Sequence, residues 1–194
     1  MHIVNSWQGI LLAAGQGKRF DASGKLNKLL QRLPSGSTVA GSSATNLLSI
    51  LPATISVVSP NAESLAAVLK FAGCELTVCL DAQDGLANSL VHALQHSSPD
   101  CAGWVIALAD MPFVQPETIA AIVQVLNGGA GIAVPTFLGK RGNPVGFSRQ
   151  YLPQLIALHG DQGARSLLKA FPVTEVAVYD AGILKDIDVP ADLL

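Results

Sequence analysis

Apolar residues recur along this chain in two rhythms, short unbroken runs and spaced stripes. The runs fall at 9–14, 54–59, 74–80, 103–108 and 131–134. Each is of strand length and nearly continuous, as expected of strands buried on both faces of a parallel sheet. The stripes between them predict helices over 40–51, 62–72 and 88–96. Leu65, Val68 and Leu69 share one face of the second. The clearest helix carries Ile119, Ile122, Val123 and Leu126 at i, i+3, i+4 and i+7. A Gly- and Lys-rich loop joins the first run to residue 28.

After Pro135 the rhythm changes. Residues 136–147 hold Gly139, Gly142, Pro144 and Gly146, and predict a loop or hairpin leading into a short strand. Two short helices, 148–158 and 163–171, and strands at 173–179 and 185–188 close the chain. Strands alternating with helices predict a three-layer α/β/α, Rossmann-like fold. Its sheet is mostly parallel, with a small β insertion in the C-terminal third. No repeat or long linker interrupts it, so residues 1–194 read as one domain.

Composition narrows the function. Hydrophobic residues make up 49% of the 194 residues and charged residues 13%, against roughly 25% charged in an ordinary domain. Intrinsic disorder needs the opposite balance. A net charge of −2 also disfavours nucleic-acid binding by bulk charge. The run 104–109 ends at Asp110, far short of the 18 or so apolar residues of a membrane span. The apolar stretch 10–14 is too short for a secretory signal and lacks a basic segment before it. Cys74, Cys79 and Cys101 form no CxxC and read as buried, reduced thiols of a cytoplasmic protein.

The scarce charges are clustered. Lys18, Arg19, Lys25, Lys28 and Arg32 supply five of the 12 basic residues, and between 33 and 139 only Lys70 is basic. Asp180, Asp186, Asp188 and Asp192 supply four of the 14 acids. Ligands of open α/β sheets bind beyond the carboxyl ends of the strands. The cationic glycine loop after the first strand and Asp110 after the fourth both belong there. A polyphosphate with a divalent metal fits that pairing. Asp186 and Asp188, two apart, point to one side of an extended segment. The loop is neither a P-loop nor a dinucleotide fingerprint, because Phe20 stands where the third glycine of GxGxxG belongs. His92 and His96 lie one helical turn apart with no third ligand in view, and read as helix-surface residues.

Seven stretches in order, LLAAGQGKRF (11–20), NKLL (27–30), DGLANSL (84–90), ALADMPFV (107–114), RGNPVGF (141–147), GDQGARSLL (160–168) and DAGILKDIDVPADL (180–193), together resemble the MobA-like NTP transferase family. Within it they are most similar to the molybdenum cofactor cytidylyltransferases (MocA-type). The resemblance implies transfer of CMP from CTP to the terminal phosphate of molybdenum-molybdopterin, with Mg²⁺ as cofactor. Leu12, Ala13, Ala14, Gly15, Gly17, Asp84, Gly85 and Ser89 would bind the nucleotide, with Ala13 and Ala14 near the base. Arg19 would meet the β- and γ-phosphates and Lys28 the α-phosphate. Asp110 would hold the metal with Asp186, the favoured second ligand, or Asp188. Arg141, Gly142, Asn143, Pro144, Asp161, Gly163 and Arg165 would face the molybdopterin, and a molybdenum hydroxylase would receive the product. No nucleic-acid or membrane partner is expected.

Three departures stand out: Asp21-Ala22-Ser23-Gly24 where many members have glycine directly, Asn143 in place of His, and Leu86 in place of Met. A guanylyltransferase on the same pterin is the nearest rival, although Ala14 replaces the first glycine of the usual LAGG. Sugar-phosphate nucleotidyltransferases and a non-catalytic cofactor-delivery protein are the others.

Overall fold

A computed structural model of the chain describes residues 6–15, 17, 19–21, 23, 26–160 and 163–194. Eight strands form one sheet: β1 (Trp7–Leu12), β2 (Thr54–Val58), β3 (Glu75–Val78), β4 (Gly103–Leu108), β5 (Ile132–Phe137), β6 (Lys140–Arg141), β7 (Val145–Ser148) and β8 (Thr174–Ala177). Their order is β3-β2-β1-β4-β7-β5-β6, with β8 on β5. Strands β1 to β4 run parallel. Strand β7 lies antiparallel between β4 and β5, and β8 is again parallel to β5.

Period-two alternation sorts the core into two layers. Leu11, Ala13, Val105 and Ala133 face α1 (Val39–Leu48), α2 (Glu63–Ala72) and α4 (Pro116–Asn127). Ile10, Leu12, Trp104, Ile106 and Ile132 face α3 (Leu86–Gln95), α5 (Leu152–Ile156) and α6 (Leu167–Ala170). Cys74 falls in the first layer and Cys79 in the second, as their odd offset requires.

Four expectations need correction. Strand β5 continues past Pro135 to Phe137. Proline is tolerated there because it lies opposite the break between β6 and β7, where its carbonyl accepts from the Gly142 N–H at 3.0 Å. Helix α3 starts at Leu86, not at 88. Residues 148–158 and 163–171 are not single helices. The 3-10 turns Arg149–Tyr151 and Gly163–Ser166 precede the short helices α5 and α6. Residues 185–188 join no strand of the sheet. A 3-10 turn, Ala181–Leu184, leads into that extended segment, and one backbone bond docks it, from the Ile187 N–H to the Asp110 carbonyl at 2.8 Å.

Candidate functional site

Strand β1, paired on both sides, ends at Leu12, and the loop beyond its carboxyl end carries Gly15 and Gly17. Gly17 has φ +61°, the left-handed region that glycine enters without a Cβ penalty. Its carbonyl accepts from the Phe20 N–H at 2.9 Å, and the Phe20 ring is buried beneath the turn. The Lys28 stem packs on the bare face of Gly17. Lys28 itself opens a 3-10 turn, Lys28–Leu30, capped by the Asn27 side chain, which accepts from the Leu29 N–H at 2.9 Å.

The Lys28 ammonium is nearly buried and held by two carboxylates. Its Nζ lies 2.7 Å from Asp110 Oδ2 and 3.3 Å from Asp188 Oδ1. Arg19 Nη1 is 2.6 Å from the other oxygen of Asp188, with the Arg19 side chain 79% exposed. Asp110 lies two residues past the end of β4. Its loop is braced by α1: Ser43 Oγ donates to the Ala109 carbonyl at 2.9 Å, and Asn46 Nδ2 donates to those of Pro112 and Val114 at 3.2 and 2.9 Å.

Asp186 and Asp188 reach the same place from the C-terminal segment. Ile187 between them is fully buried, which turns both neighbours away from the core. One ligand oxygen from each of Asp110, Asp186 and Asp188 lies within 4.8 Å of the others. Partial burial, then the charges of Asp188 and Asp110, push the Asp186 carboxyl above the usual carboxylate range. The N–H groups of Val189 and Asp188 donate to Asp192 Oδ2, each at 2.8 Å, and hold its carboxyl below that range. Asp192 thus serves the local turn rather than the carboxylate cluster. Three crowded carboxylates with hard oxygen donors fit a divalent cation such as Mg²⁺ or Mn²⁺.

A cleft of about 510 Å³ opens over these groups. It is lined by Leu12, Ala14, Gly15, Gly17, Arg19, Lys28, Gly85 and Ser89 together with the three aspartates. Ala13 is not among them, because its side chain faces the other core layer. Asp84 also stays out, while its neighbours Gln83 and Gly85 line the wall. A second cavity of about 420 Å³ adjoins the first, sharing Leu12, Leu86, Leu108 and Arg165. Arg141, Gly142, Asn143 and Gly163 line it. The Arg141 Nε is engaged by Glu175 at 2.7 Å. Pro144 is turned to the opposite side, against Ser43 and Asn46. Asp161, Lys18 and Lys25 lie outside the described residues.

Sequence reasoning missed Gln83, Ala82 and Leu108 in the walls and Ser43, Asn46 and Asp180 in support. The signal for Ser43 and Asn46 was present: polar residues on the inward face of a predicted helix need partners. His92 Nε2 bonds Thr77 Oγ1 at 2.7 Å, and His96 is exposed.

Residues 9–176 match the family described as MobA-like NTP transferase domain. The chain belongs to that family. This MobA-like nucleotidyltransferase is 36% identical over 121 residues to the purine catabolism protein PucB of Bacillus subtilis (strain 168), a match covering 60% of this chain and 58% of PucB. The chain thus spans less than two thirds of that relative. The crystal structure of Rv0371c from Mycobacterium tuberculosis H37Rv superposes with TM-score 0.84 at 30% identity, covering 97% of this chain and 95% of that one. The same protein's complex with manganese gives TM-score 0.79 at 28% identity, covering 96% and 95%.

Proposed function

We propose that this MobA-like nucleotidyltransferase transfers CMP from CTP to the terminal phosphate of molybdenum-molybdopterin, releasing pyrophosphate and forming the cytosine dinucleotide cofactor. The observation that carries this reading is the pair of joined clefts. One holds three cations, of which Arg165 is shared with the second, and three carboxylates beyond the ends of β1 and β4, and the other combines apolar walls with Arg141, Asn143 and Arg165. The first suits a metal-bound triphosphate. The second suits a flat heterocycle with an anionic end, and a sugar phosphate would ask for more polar walls.

The nucleophile in this reaction is a phosphate monoester oxygen, already largely ionised at neutral pH because its second pKa is about 6. No side chain has to remove a proton. The chain's task is to align two anions and neutralise charge. Lys28, released from Asp110 and Asp188, serves the α-phosphate, and Arg19 the β- and γ-phosphates. Asp110, Asp186 and Asp188 hold Mg²⁺, whose chemistry there is Lewis-acid neutralisation of the phosphoryl oxygens. Gly17 and its neighbours let backbone N–H groups approach the triphosphate. Ala14 and Ser89 shape the nucleotide end, and Gly142, Asn143 and Gly163 the acceptor end. The recipient of the product would be a molybdenum hydroxylase in the cytoplasm, and the similarity to a purine catabolism protein is compatible with that.

The test is pyrophosphate release from CTP or GTP in the presence of molybdopterin and Mg²⁺. We expect turnover with CTP and its near-complete loss in Asp110→Ala and Lys28→Ala, with folded protein in both. Turnover with GTP alone would make the enzyme a guanylyltransferase. Turnover with neither nucleotide would favour cofactor delivery without catalysis.

A further inference from the structure

Asp180 is one of the most buried charged side chains among the described residues, at 2% exposure, and it lines neither cleft. Its Oδ2 accepts from the Gln115 N–H at 2.9 Å and from Thr118 Oγ1 at 2.7 Å, and its Oδ1 from the Gly182 N–H at 2.8 Å. Helix α4 receives no cap from the side chain of Gln115, the residue at its head. The carboxylate that serves this end comes from 65 residues away, and the positive end of the helix favours its charge. Three donors on one buried carboxylate, one of them a hydroxyl, are a strong and directional anchor.

What this anchor joins is specific. The segment 180–188 carries Asp186 and Asp188, and the loop between β4 and α4 carries Asp110. We propose that Asp180 is the positioning residue of the divalent-cation site, fixing the 180–188 segment on the β4–α4 loop so that the three aspartates converge. This rests on the reading of Asp110, Asp186 and Asp188 as cation ligands.

The segment is pinned at four points. Asp180 grips the start of α4. Gly182 lies so close to the Phe113 carbonyl that a Cβ there would collide with it. The Ile183 carbonyl accepts from the Asn143 N–H at 3.0 Å, and the Ile187 N–H donates to the Asp110 carbonyl at 2.8 Å. Without a cation, three neighbouring carboxylates repel one another. Lys28 and Arg19 offset part of that repulsion, but neither is bonded to Asp186. The backbone of the segment therefore has to hold Asp186 in place, and the buried carboxylate of Asp180 fixes the start of that backbone. An asparagine at 180 keeps the shape but turns one acceptor oxygen into a donor. It then faces either the Gly182 N–H or the pair at Gln115 and Thr118 with the wrong polarity.

The test measures Mn²⁺ affinity of the whole chain by electron paramagnetic resonance, with circular dichroism as the check on folding. Groups hydrogen-bonded directly to metal ligands are worth about 10–100-fold in affinity, and Asp180 acts on the ligands only through the backbone, so Asp180→Asn should weaken Mn²⁺ binding by about tenfold, at the lower end of that range. In turnover it should raise the KM for metal more than it lowers kcat. Thr118→Val should weaken binding in the same direction, and Thr118→Ser, which keeps the hydroxyl, should bind like the parent. The Thr118 pair decides the matter if Asp180→Asn does not fold. Unchanged Mn²⁺ affinity in folded Asp180→Asn, or in folded Thr118→Val, overturns the proposal. Asp110→Asn is measured in parallel. If it leaves Mn²⁺ binding intact, the cation-site reading itself fails, and the role of Asp180 fails with it.

Discussion

Cys79 packs in the core within reach of Ser89, which lines the first cleft, yet the fold disfavours its thiolate. Burial pushes its pKa up, against hydrogen bonds from the Asp81 backbone and Ser89 that pull it down in part. Cys101 is raised by burial as well, and burial takes Cys74 to about 11 from 9.0. Three thiols held back from the thiolate form agree with the proposed reaction, in which a phosphate of the acceptor would attack at a site built from cations and carboxylates. The same shift makes a stability prediction. A pKa raised in the fold favours the protonated form, so its contribution is complete below the unfolded value and is lost as pH rises through the folded one. The margin of the parent chain over Cys74→Ala in urea unfolding should therefore shrink between pH 9.0 and about 11. A constant margin across that range would sink the argument.

At the scale of elements, α1 supports the loop that carries Asp110 as well as the core. Its inward face interrupts an apolar stripe with Ser43 and Asn46, and Asn46 ties down two loop carbonyls. Asn46→Ala leaves those carbonyls short of a donor and should cost about 1–3 kcal/mol, read as a lowered urea midpoint at unchanged slope. No change in midpoint would mean that water replaces the amide freely. Sequence pattern alone found β4 to the residue, because an apolar run ends abruptly at Asp110. It also put Asp186 and Asp188 on one side, although the segment pairs through a single bond instead of a ladder, and the burial of Ile187 between them came only with the structure. Alternation reports burial on one side and is silent about the partner on the other. The strand order was equally invisible, since β7 enters between β4 and β5 through contacts remote in sequence. Asp180 was seen only as one of a group of acids. Nothing local distinguishes a carboxylate that caps a helix 65 residues away from one that binds metal.

For the whole molecule, the telling quantity is the charge of the cleft rather than the net −2 of the chain. Among its described lining residues, Arg19, Lys28 and Arg165 stand against Asp110, Asp186 and Asp188. The cleft is thus close to neutral before a cation enters. A free triphosphate then meets three carboxylates that repel it and two cations already engaged by them. With a divalent cation bound, the same carboxylates become ligands of a positive centre, and Lys28 and Arg19 are freed for phosphate. Linkage makes this reciprocal: whatever factor metal adds to nucleotide affinity, nucleotide adds to metal affinity. A reversal of sign follows. In chelator, Asp110→Asn removes one repelling charge and should bind CTP more tightly than the parent chain. In Mn²⁺ or Mg²⁺ it loses a ligand and should bind CTP more weakly. Lys28→Ala should weaken binding under both conditions, because the ammonium serves phosphate whether or not metal is present. Equilibrium binding of CTP to the three proteins, with and without metal, measures all six values. If Asp110→Asn binds more weakly than the parent even in chelator, Asp110 is holding the loop in shape for nucleotide rather than holding a cation.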